Sequence, residues 1–388
     1  MSRRHDLSRS LVALEQGSTL IAVIEMSLSS WLVAGVVPGI GRDPLKKIEP
    51  DAGELLSLLR RWQQEAEQAG HRIARVTVAY EAGRDGFWLA RWLREHGIEC
   101  HVIHPVSIAV SREHRRAKTD RLDTSLLKRA FLGWLRGEKD HCRMVAVPTV
   151  AQEDARCPLR EREALVQERT RLINQFKSVL VRFGLRDRAL ERTKSPRWFE
   201  TWLRDAGQAL PEHERARLGH IIARLRLVAG QIAEIDRGIA ERAKAPGTEA
   251  DRRACDLARW KGLGLQTATL LEREVICRDL RDRRAVARYG GITGSPDESG
   301  SRRREKGLAR AGNVHVRQAT IQFAWRFLIF QKDSDLARWY RQRTENAGPR
   351  VRKVMIVALA RKLLIALWRF ATTGVVPEGV VLTAPAQA

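Results

Sequence analysis

The fold is decided by residues 19–37, which read TLIAVIEMSLSSWLVAGVV. Two apolar runs, residues 19–25 and 31–37, are rich in β-branched side chains, and the segment MSLSS between them suits a tight turn. Short runs of this composition on either side of a turn are typical of a β-hairpin. We therefore predict that a sheet begins here.

Helices and strands alternate in the residues that follow. The apolar spacing predicts strands over residues 73–80 and 99–104, and helices over residues 51–68, 87–96 and 120–135. An initial hairpin followed by this alternation is typical of a mixed sheet flanked by helices. The fold class expected for the N-terminal part of the chain is therefore α/β.

The middle of the chain has a different periodicity. Apolar residues recur there at alternating spacings of three and four, as along the a/d seam of a coiled coil. The recurring residues are Leu218, Ile221, Leu225, Val228, Ile232, Ile235 and Ile239, preceded by Leu172, Phe176, Val179 and Phe183. A helical hairpin, an intermolecular coiled coil and two helices of an ordinary bundle all satisfy this spacing. Each would form a helical spacer between the ends of the chain.

These patterns divide the 388 residues into four parts. We expect an α/β domain over residues 1–150, a coiled-coil helical spacer over 151–250, a mostly helical domain over 251–375 and a loose tail over 376–388. The charged segment 241–254 looks like a linker.

The most apolar late segment, residues 354–370, contains Arg361, Lys362 and Arg369. These charges predict a buried amphipathic helix instead of a membrane span.

The chain is strongly basic. It has 70 Lys and Arg residues against 46 Asp and Glu residues, a formal net charge of +24 at pH 7. Such an excess favours a polyanionic partner, because neutralised phosphates release counterions. A generally basic proteome would explain part of this charge, and a membrane surface fits poorly because the charge is spread over the whole chain. Nucleic acid is the expected partner.

The cysteines indicate a reducing compartment. The chain has an odd number, namely Cys100, Cys142, Cys157, Cys255 and Cys277, and none form a CxxC pair. This pattern argues against a zinc site or a disulfide framework. The N-terminus also lacks the apolar stretch of a signal peptide. We therefore expect a cytoplasmic protein.

Four acidic residues stand out in this basic chain. Glu25 and Glu81 end predicted strands, and Asp120 and Asp123 lie three residues apart on one helix face. Strand ends open onto one rim of a sheet, where sites gather. Carboxylates brought together there would need divalent cations, and oxygen ligands suit Mg²⁺. Two such ions assist phosphodiester cleavage in many nucleases.

Each acidic residue also has a purely structural interpretation. Asp120 suits a helix N-cap, and Asp123 would interact favourably with the helix dipole. Glu81 could cap the next helix, and Glu25 could be a turn residue. The metal interpretation gains because all four occur in order, on suitable elements, within a basic chain.

Two segments carry a family resemblance. Residues 79–93, AYEAGRDGFWLARWL, and residues 115–129, RRAKTDRLDTSLLKR, resemble the N-terminal domain of the D-E-D-D transposases of bacterial insertion sequences. The resemblance implies a RuvC-like fold of the ribonuclease-H type. It also implies catalytic, metal-binding roles for Glu81, Asp120 and Asp123.

The chain departs from the family at the first acidic position. Glu25 stands where the family has aspartate, and its side chain is one methylene longer. Because Mg²⁺ demands near-ideal geometry, this exchange bears directly on metal binding.

Residues 288–327, RYGGITGSPDESGSRRREKGLARAGNVHVRQATIQFAWRF, resemble the C-terminal domain of the same family. The resemblance implies that Ser299 is a nucleophile on DNA, with Ser295 and Ser301 as neighbouring alternatives. Without it, the segment SGSRRREKG would suit a flexible basic loop. Residues expected to contact nucleic acid are Lys118, Arg121, Arg302, Arg303, Arg304 and Lys306.

The resemblance also implies partners and an activity. Family members form oligomers and use a structured bridge RNA as guide, so a homodimer or homotetramer that binds DNA and RNA is expected. The leading hypothesis is a Mg²⁺-dependent transposase or recombinase that attacks a phosphodiester through serine. The alternatives are a RuvC-like structure-specific nuclease that uses metal-activated water, and a decayed nucleic-acid-binding protein.

Overall fold

The chain divides into two compact units, Met1–Ala151 and Gln152–Ala388. The computed structural model describes residues 7–83, 86–108, 120–138, 141–185, 195–299, 302–308 and 311–384. Only the backbone is described for residue 106 and for residues 295–299 and 302–306.

The first unit is built on a six-stranded mixed sheet in the order β3-β2-β1-β4-β5-β6. The strands are β1 (Thr19–Met26), β2 (Trp31–Val36), β3 (Leu45–Ile48), β4 (Arg75–Glu81), β5 (Glu99–Ile103) and β6 (Met144–Val145). β1 and β2 pair antiparallel, which confirms the predicted hairpin. β1, β4 and β5 run parallel to one another, so their carboxyl ends share one edge of the sheet.

Helices cover both faces of this sheet. They are α1 (Ala52–Gln68), α2 (Trp88–Glu95) and α3 (Asp120–Leu135). α1 begins where Asp51 accepts a hydrogen bond from the Glu54 amide at 2.8 Å, an N-cap. α1 and α2 bury Trp62 and Leu93 against one face, and α3 buries Phe131 against the other. The predicted α/β arrangement is confirmed.

The second unit is mostly helical. Its first helices are α4 (Val150–Asp154, which begins in the first unit), α5 (Cys157–Arg182), α6 (Pro196–Asp205) and α7 (Glu212–Lys244). These are followed by α8 (Glu249–Ala258), α9 (Leu265–Leu271), a π-helical segment (Glu272–Ile276), α10 (Arg283–Tyr289), α11 (Val314–Phe330), α12 (Asp335–Thr344) and α13 (Pro349–Thr373). A two-stranded ribbon, β7 (Gly294–Ser299) and β8 (Arg302–Leu308), lies between α10 and α11.

The heptad residues lie on α5 and α7, which pack on each other within the chain, except for Phe183, which follows the end of α5 and is exposed. Ion pairs join opposite ends of the two helices, Arg182 to Glu214 and Arg162 to Asp236, both at 2.7 Å. The pair is therefore antiparallel. α6 adds Phe199 to their shared core. Of the arrangements that the spacing allows, the structure contains the helical hairpin, with a third helix packed against it.

Two expectations about connecting segments were wrong. Residues 241–254 are not a linker, because α7 continues to Lys244 and α8 starts at Glu249 behind a capping box between Thr248 and Asp251. The described part of the tail is not loose either. The Val381 carbonyl accepts hydrogen bonds from the Lys261 amide and the Gln331 side chain, so the tail is fixed to the helical core.

The apolar segment 354–370 forms most of α13, and its residues Ile356, Leu359 and Leu363 are buried in the core of the second unit. This confirms the predicted buried helix. Within the described ranges, no helix combines the length and apolar character needed to cross a bilayer.

One half-buried ion pair, between Arg75 and Glu99, gives the first unit a pH-dependent stability. Burial alone would raise the pKa of Glu99, but hydrogen bonds from His101 and Arg75 lower it to about 2. Because its pKa is lower in the folded state, ionised Glu99 stabilises the fold at pH values above the carboxyl pKa of the unfolded chain. This stabilisation is lost as the pH falls from about 4.5 towards 2.

We expect Glu99→Gln to reduce the free energy of unfolding at pH 7 by about 1 kcal/mol, a value discounted for the partial exposure of Glu99. Denaturant unfolding measures this loss. The difference from the unmodified protein should shrink steadily below pH 4.5. Glu95→Gln, at an exposed carboxylate on α2, is the matched control. An equal effect of both substitutions at pH 7 would contradict the prediction.

Candidate active site

Glu25 and Glu81 lie at the carboxyl ends of neighbouring strands. β1 and β4 pair in parallel register up to Ile24 and Tyr80, so the two glutamates each follow the last registered pair. Adjacent strands lie about 4.8 Å apart. The backbone thus brings the two acidic positions side by side, as the strand-end argument predicts.

Both glutamates lie on the face of the sheet that α3 covers. Side chains two residues apart on a strand share a face, and Val23 and Ala79 belong to the core beneath α3. Glu25 and Glu81 therefore extend this face towards the sheet edge. Glu25 is half-buried and Glu81 is exposed.

Asp120 and Asp123 lie in the first turn of α3. They precede Leu127, a residue that packs on the sheet, by seven and four positions, so they continue the sheet-facing stripe of the helix. Asp120 is exposed and Asp123 half-buried. All four acidic residues thus belong to one face of the unit.

The four carboxylates are not gathered into one ligand set. Within the described ranges, no three His, Cys, Asp or Glu side chains come close enough together to hold a metal ion. The donor chemistry and the strand register suit a divalent cation, whereas the side-chain positions do not form a complete cation site.

His104, directly after β5, adds a neutral imidazole at the same end of the sheet. Burial is the main cause that lowers its pKa, and the positive charge of Arg143 acts in the same direction. The ring is therefore neutral at pH 7 and able to accept a proton. The sequence alone does not single out this residue, because a lone His-Pro pair carries no motif.

Ser299 is the last residue of β7. In the ribbon, Ser299 is registered opposite Arg302, Glu298 opposite Arg303 and Asp297 opposite Arg304. The alternative of a flexible basic loop is therefore wrong for residues 299 and 302–307, which form part of a β-ribbon. Ser295 also lies in β7, and Lys306 lies in β8.

Two further candidates, Lys118 and Ser301, lie outside the described residues. Arg121, the second residue of α3, is exposed. The acidic residues belong to the first unit, and Ser299 with its arginines belongs to the second.

Comparisons with known proteins decide the family. Residues 41–184 match a family described as "Transposase", of the IS110 D-E-D-D type. Residues 255–341 match the family described as "Transposase IS116/IS110/IS902 family". The chain is also 39% identical over 387 residues to y4rJ of Sinorhizobium fredii, a protein named as a transposase, covering 96% of this chain and 97% of that relative. The chain belongs to the IS110 transposase family.

More distant relatives agree with this assignment. The transposase is 27% identical over 280 residues to y4qE of Sinorhizobium fredii, covering 69% of this chain and 65% of that protein. It is 25% identical over 294 residues to a Pseudomonas aeruginosa protein named as a family 20 transposase, covering 75% and 82% of the two chains.

The matched segments differ in which candidate residues they include. Glu81, Asp120 and Asp123 fall within residues 41–184, and Ser299 falls within residues 255–341. Glu25 precedes both segments. Among the candidate residues of this transposase, Glu25 is the one outside the matched ranges.

Proposed function

We propose that this transposase cuts and rejoins DNA through a covalent intermediate formed by Ser299. The proposal is supported by the position of Ser299, which ends a β-strand and is registered opposite Arg302. This ribbon lies within the C-terminal segment that matches the family. Backbone pairing with an arginine position supports a role for this serine in attack on a phosphodiester.

In the proposed reaction, the Ser299 hydroxyl oxygen bonds to phosphorus as one phosphorus–oxygen bond of the DNA backbone breaks. The hydroxyl proton passes to a base, and the leaving oxygen departs on the DNA strand. A DNA hydroxyl later attacks the phosphoseryl link and regenerates serine. Arg302, Arg303 and Arg304 would stabilise the negative charge of the phosphate.

We further propose that Mg²⁺ is the cofactor. Glu25 and Glu81 would hold it from the strand ends, and Asp120 and Asp123 from α3. When bound, Mg²⁺ lowers the cost of charge on phosphate and hydroxyl oxygens. The order of strands and the helix on their shared face support a RuvC-like, ribonuclease-H-type fold for this unit.

A structured guide RNA and a homodimer or homotetramer complete the proposal. The net charge of +24 supports a nucleic-acid partner of either kind. If RNA guides the protein, base pairing selects the target, as in other guided systems. The nucleic acid that co-purifies with the protein identifies the guide when it is sequenced.

Trapping of the intermediate tests the central proposal. Purified protein is incubated with Mg²⁺, its co-purified nucleic acid and radiolabelled element-end DNA, then denatured. We expect a protein–DNA adduct that survives denaturation, and peptide mapping should locate the label in the segment 294–308. A label mapped to another segment, or cleavage without any adduct in rapid-quench samples, would reject the serine intermediate in favour of metal-activated water.

A further inference from the structure

We propose that Glu274 is a positioning residue that fixes the base of the β7–β8 ribbon, and that Arg160 of α5 in turn holds Glu274. The ribbon's importance rests on the proposed function of Ser299. Glu274 lies in the π-helical segment, and only 3% of its side chain is exposed. Such irregular helical turns are frequent at functional sites.

The Glu274 carboxylate is held from one side by α5. Arg160 donates two hydrogen bonds to its Oε1 atom, at 2.9 Å from Nε and 2.7 Å from Nη2. Arg156 lies 3.9 Å from Oε2 and donates to the Arg273 carbonyl. A buried carboxylate is retained only with such partners, because its desolvation is costly.

The other side of the same carboxylate contacts two residues that flank the ribbon in sequence. Asn313 Nδ2 donates to Glu274 Oε2 at 2.9 Å, and the Tyr289 hydroxyl is 3.4 Å from the same oxygen. Asn313 Nδ2 also lies 3.0 Å from the Tyr289 hydroxyl. Glu274 therefore joins both residues in one network.

Tyr289 and Asn313 are the two points at which the ribbon segment enters and leaves the helical core. Tyr289 ends α10, and Asn313 caps α11. The Asn313 amide donates to the Tyr289 carbonyl at 2.7 Å. Beside them, a Cβ atom on Gly312 would lie 2.5 Å from the Gly291 nitrogen, so the two backbone segments touch. Glu274 thus anchors a closed base.

A small rotation at this base displaces the far end of the ribbon by a larger distance. β7 spans Gly294–Ser299, which corresponds to about 17 Å of strand. A tilt of about 10° at the base would displace the far end by roughly 3 Å over that length. Misplacement of a reacting group by only ~1 Å can cost about 100-fold in rate. A small loosening at Glu274 should therefore act on Ser299.

α5 makes a second contact to the same region. His315 of α11, two residues after Asn313, is hydrogen-bonded through Nδ1 to the Glu163 carboxylate of α5. The long helix that packs against α7 thus contacts both the buried carboxylate and the helix that follows the ribbon. The network joins the spacer hairpin to the serine-bearing ribbon.

Asn313→Ser separates the positioning role from helix capping. Asn313 also accepts hydrogen bonds from the His315 and Val316 amides, and serine is about as good an N-cap. The substitution keeps the cap and removes the Nδ2 donor. We expect strand transfer to fall about 10- to 100-fold with unchanged DNA affinity, and the thermal midpoint to fall modestly because the buried carboxylate loses one donor. Amide hydrogen exchange in β7 and β8 should accelerate.

Exchange of the two groups provides a rescue test. Asn313→Asp keeps the cap but sets a second carboxylate against Glu274, so it should be worse than Asn313→Ser. Combining it with Glu274→Gln swaps amide and carboxylate and leaves one negative charge in the network. We expect the double variant to recover at least about tenfold in strand transfer. A merely structural residue would give no such activity rescue at matched stability.

Asp236→Asn is the matched control, because it breaks an α5 ion pair, that with Arg162, without involving Glu274 or Asn313. It should leave both ribbon exchange and strand transfer unchanged. Unaltered ribbon exchange in Asn313→Ser, or a double variant no better than Asn313→Asp, would overturn the proposal. Hydrogen exchange can be measured without catalysis. If Ser299 is not the nucleophile, the exchange rates of β7 and β8 therefore still test whether Glu274 fixes the base of the ribbon.

Discussion

Ser299→Ala is expected to lower DNA strand transfer by a factor on the order of 10³ to 10⁶, the range seen when a catalytic nucleophile is removed. Alanine has no oxygen to form the bond to phosphorus, while the ribbon backbone can keep its register with Arg302. DNA binding should change little, because the neighbouring arginines remain. Rate measurements with saturating DNA, alongside gel-shift affinities, separate the two effects.

Ser295→Ala and Ser301→Ala serve as controls for the choice of serine. Each removes a hydroxyl close in sequence to Ser299, and each should retain adduct formation. A covalent adduct that persists in Ser299→Ala but disappears in either control would move the nucleophile to that residue. Normal cleavage in all three variants, combined with its loss in Asp123→Asn, would instead identify a nuclease that uses metal-activated water.

The N-terminal sheet could be predicted largely from local patterns. The apolar runs around Glu25 and Trp31 specify buried strands, and the amphipathic period of residues 120–135 specifies α3 with its observed bounds. β3 escaped prediction because its sequence, LKKI, places two lysines in an edge strand. Charged edge strands avoid unwanted pairing, but they resemble loops in sequence.

The second unit was harder to predict because its decisive contacts join residues distant in sequence. Glu272 and Glu274 occur in a charged stretch that looks solvent-exposed, yet both are buried against arginines of other helices, Arg253 and Arg160. Periodicity within one helix carries no information about such partners. The ribbon likewise depends on strand pairing that its Gly- and Arg-rich sequence does not specify.

The candidate site divides in the same way. Adjacent strand ends for Glu25 and Glu81 follow from the order of elements, because parallel neighbours end at one edge of a sheet. Ser299 has no such support, since no histidine or local motif marks it as a nucleophile. Its assignment rests on resemblance to the family, so it requires the more direct chemical test.

Asp123→Asn and Glu81→Gln are each expected to reduce DNA cleavage by more than about 100-fold, above the loss typical of residues that merely support metal ligands. The amide keeps the shape of the side chain but removes the charge that attracts Mg²⁺. Cleavage rates measured across a Mg²⁺ titration check this. Both variants should need more Mg²⁺ than the unmodified protein, and chelation should stop cleavage in all of them.

Asp43→Asn is the control for disturbance of α3. Asp43 forms an ion pair with Lys128 on that helix at 2.6 Å, so its loss perturbs the helix surface without touching a candidate ligand. If Asp123→Asn cleaves DNA as fast as the unmodified protein at every Mg²⁺ concentration, Asp123 is excluded from the metal site. An equal loss in Asp43→Asn would show that helix position, and not ligand charge, is responsible.

Substitutions of Glu25 test the effects of side-chain charge and side-chain length separately. If Glu25 is a ligand, Glu25→Gln should behave like Asp123→Asn, because both lose a negative charge. Glu25→Asp keeps the charge and introduces the shorter side chain that the family resemblance implies at this position. Since Mg²⁺ requires near-ideal geometry, the strand that bears the residue must compensate for the extra methylene of glutamate. Aspartate would then be too short in this chain, and a loss of cleavage in Glu25→Asp that higher Mg²⁺ repairs would identify that adaptation.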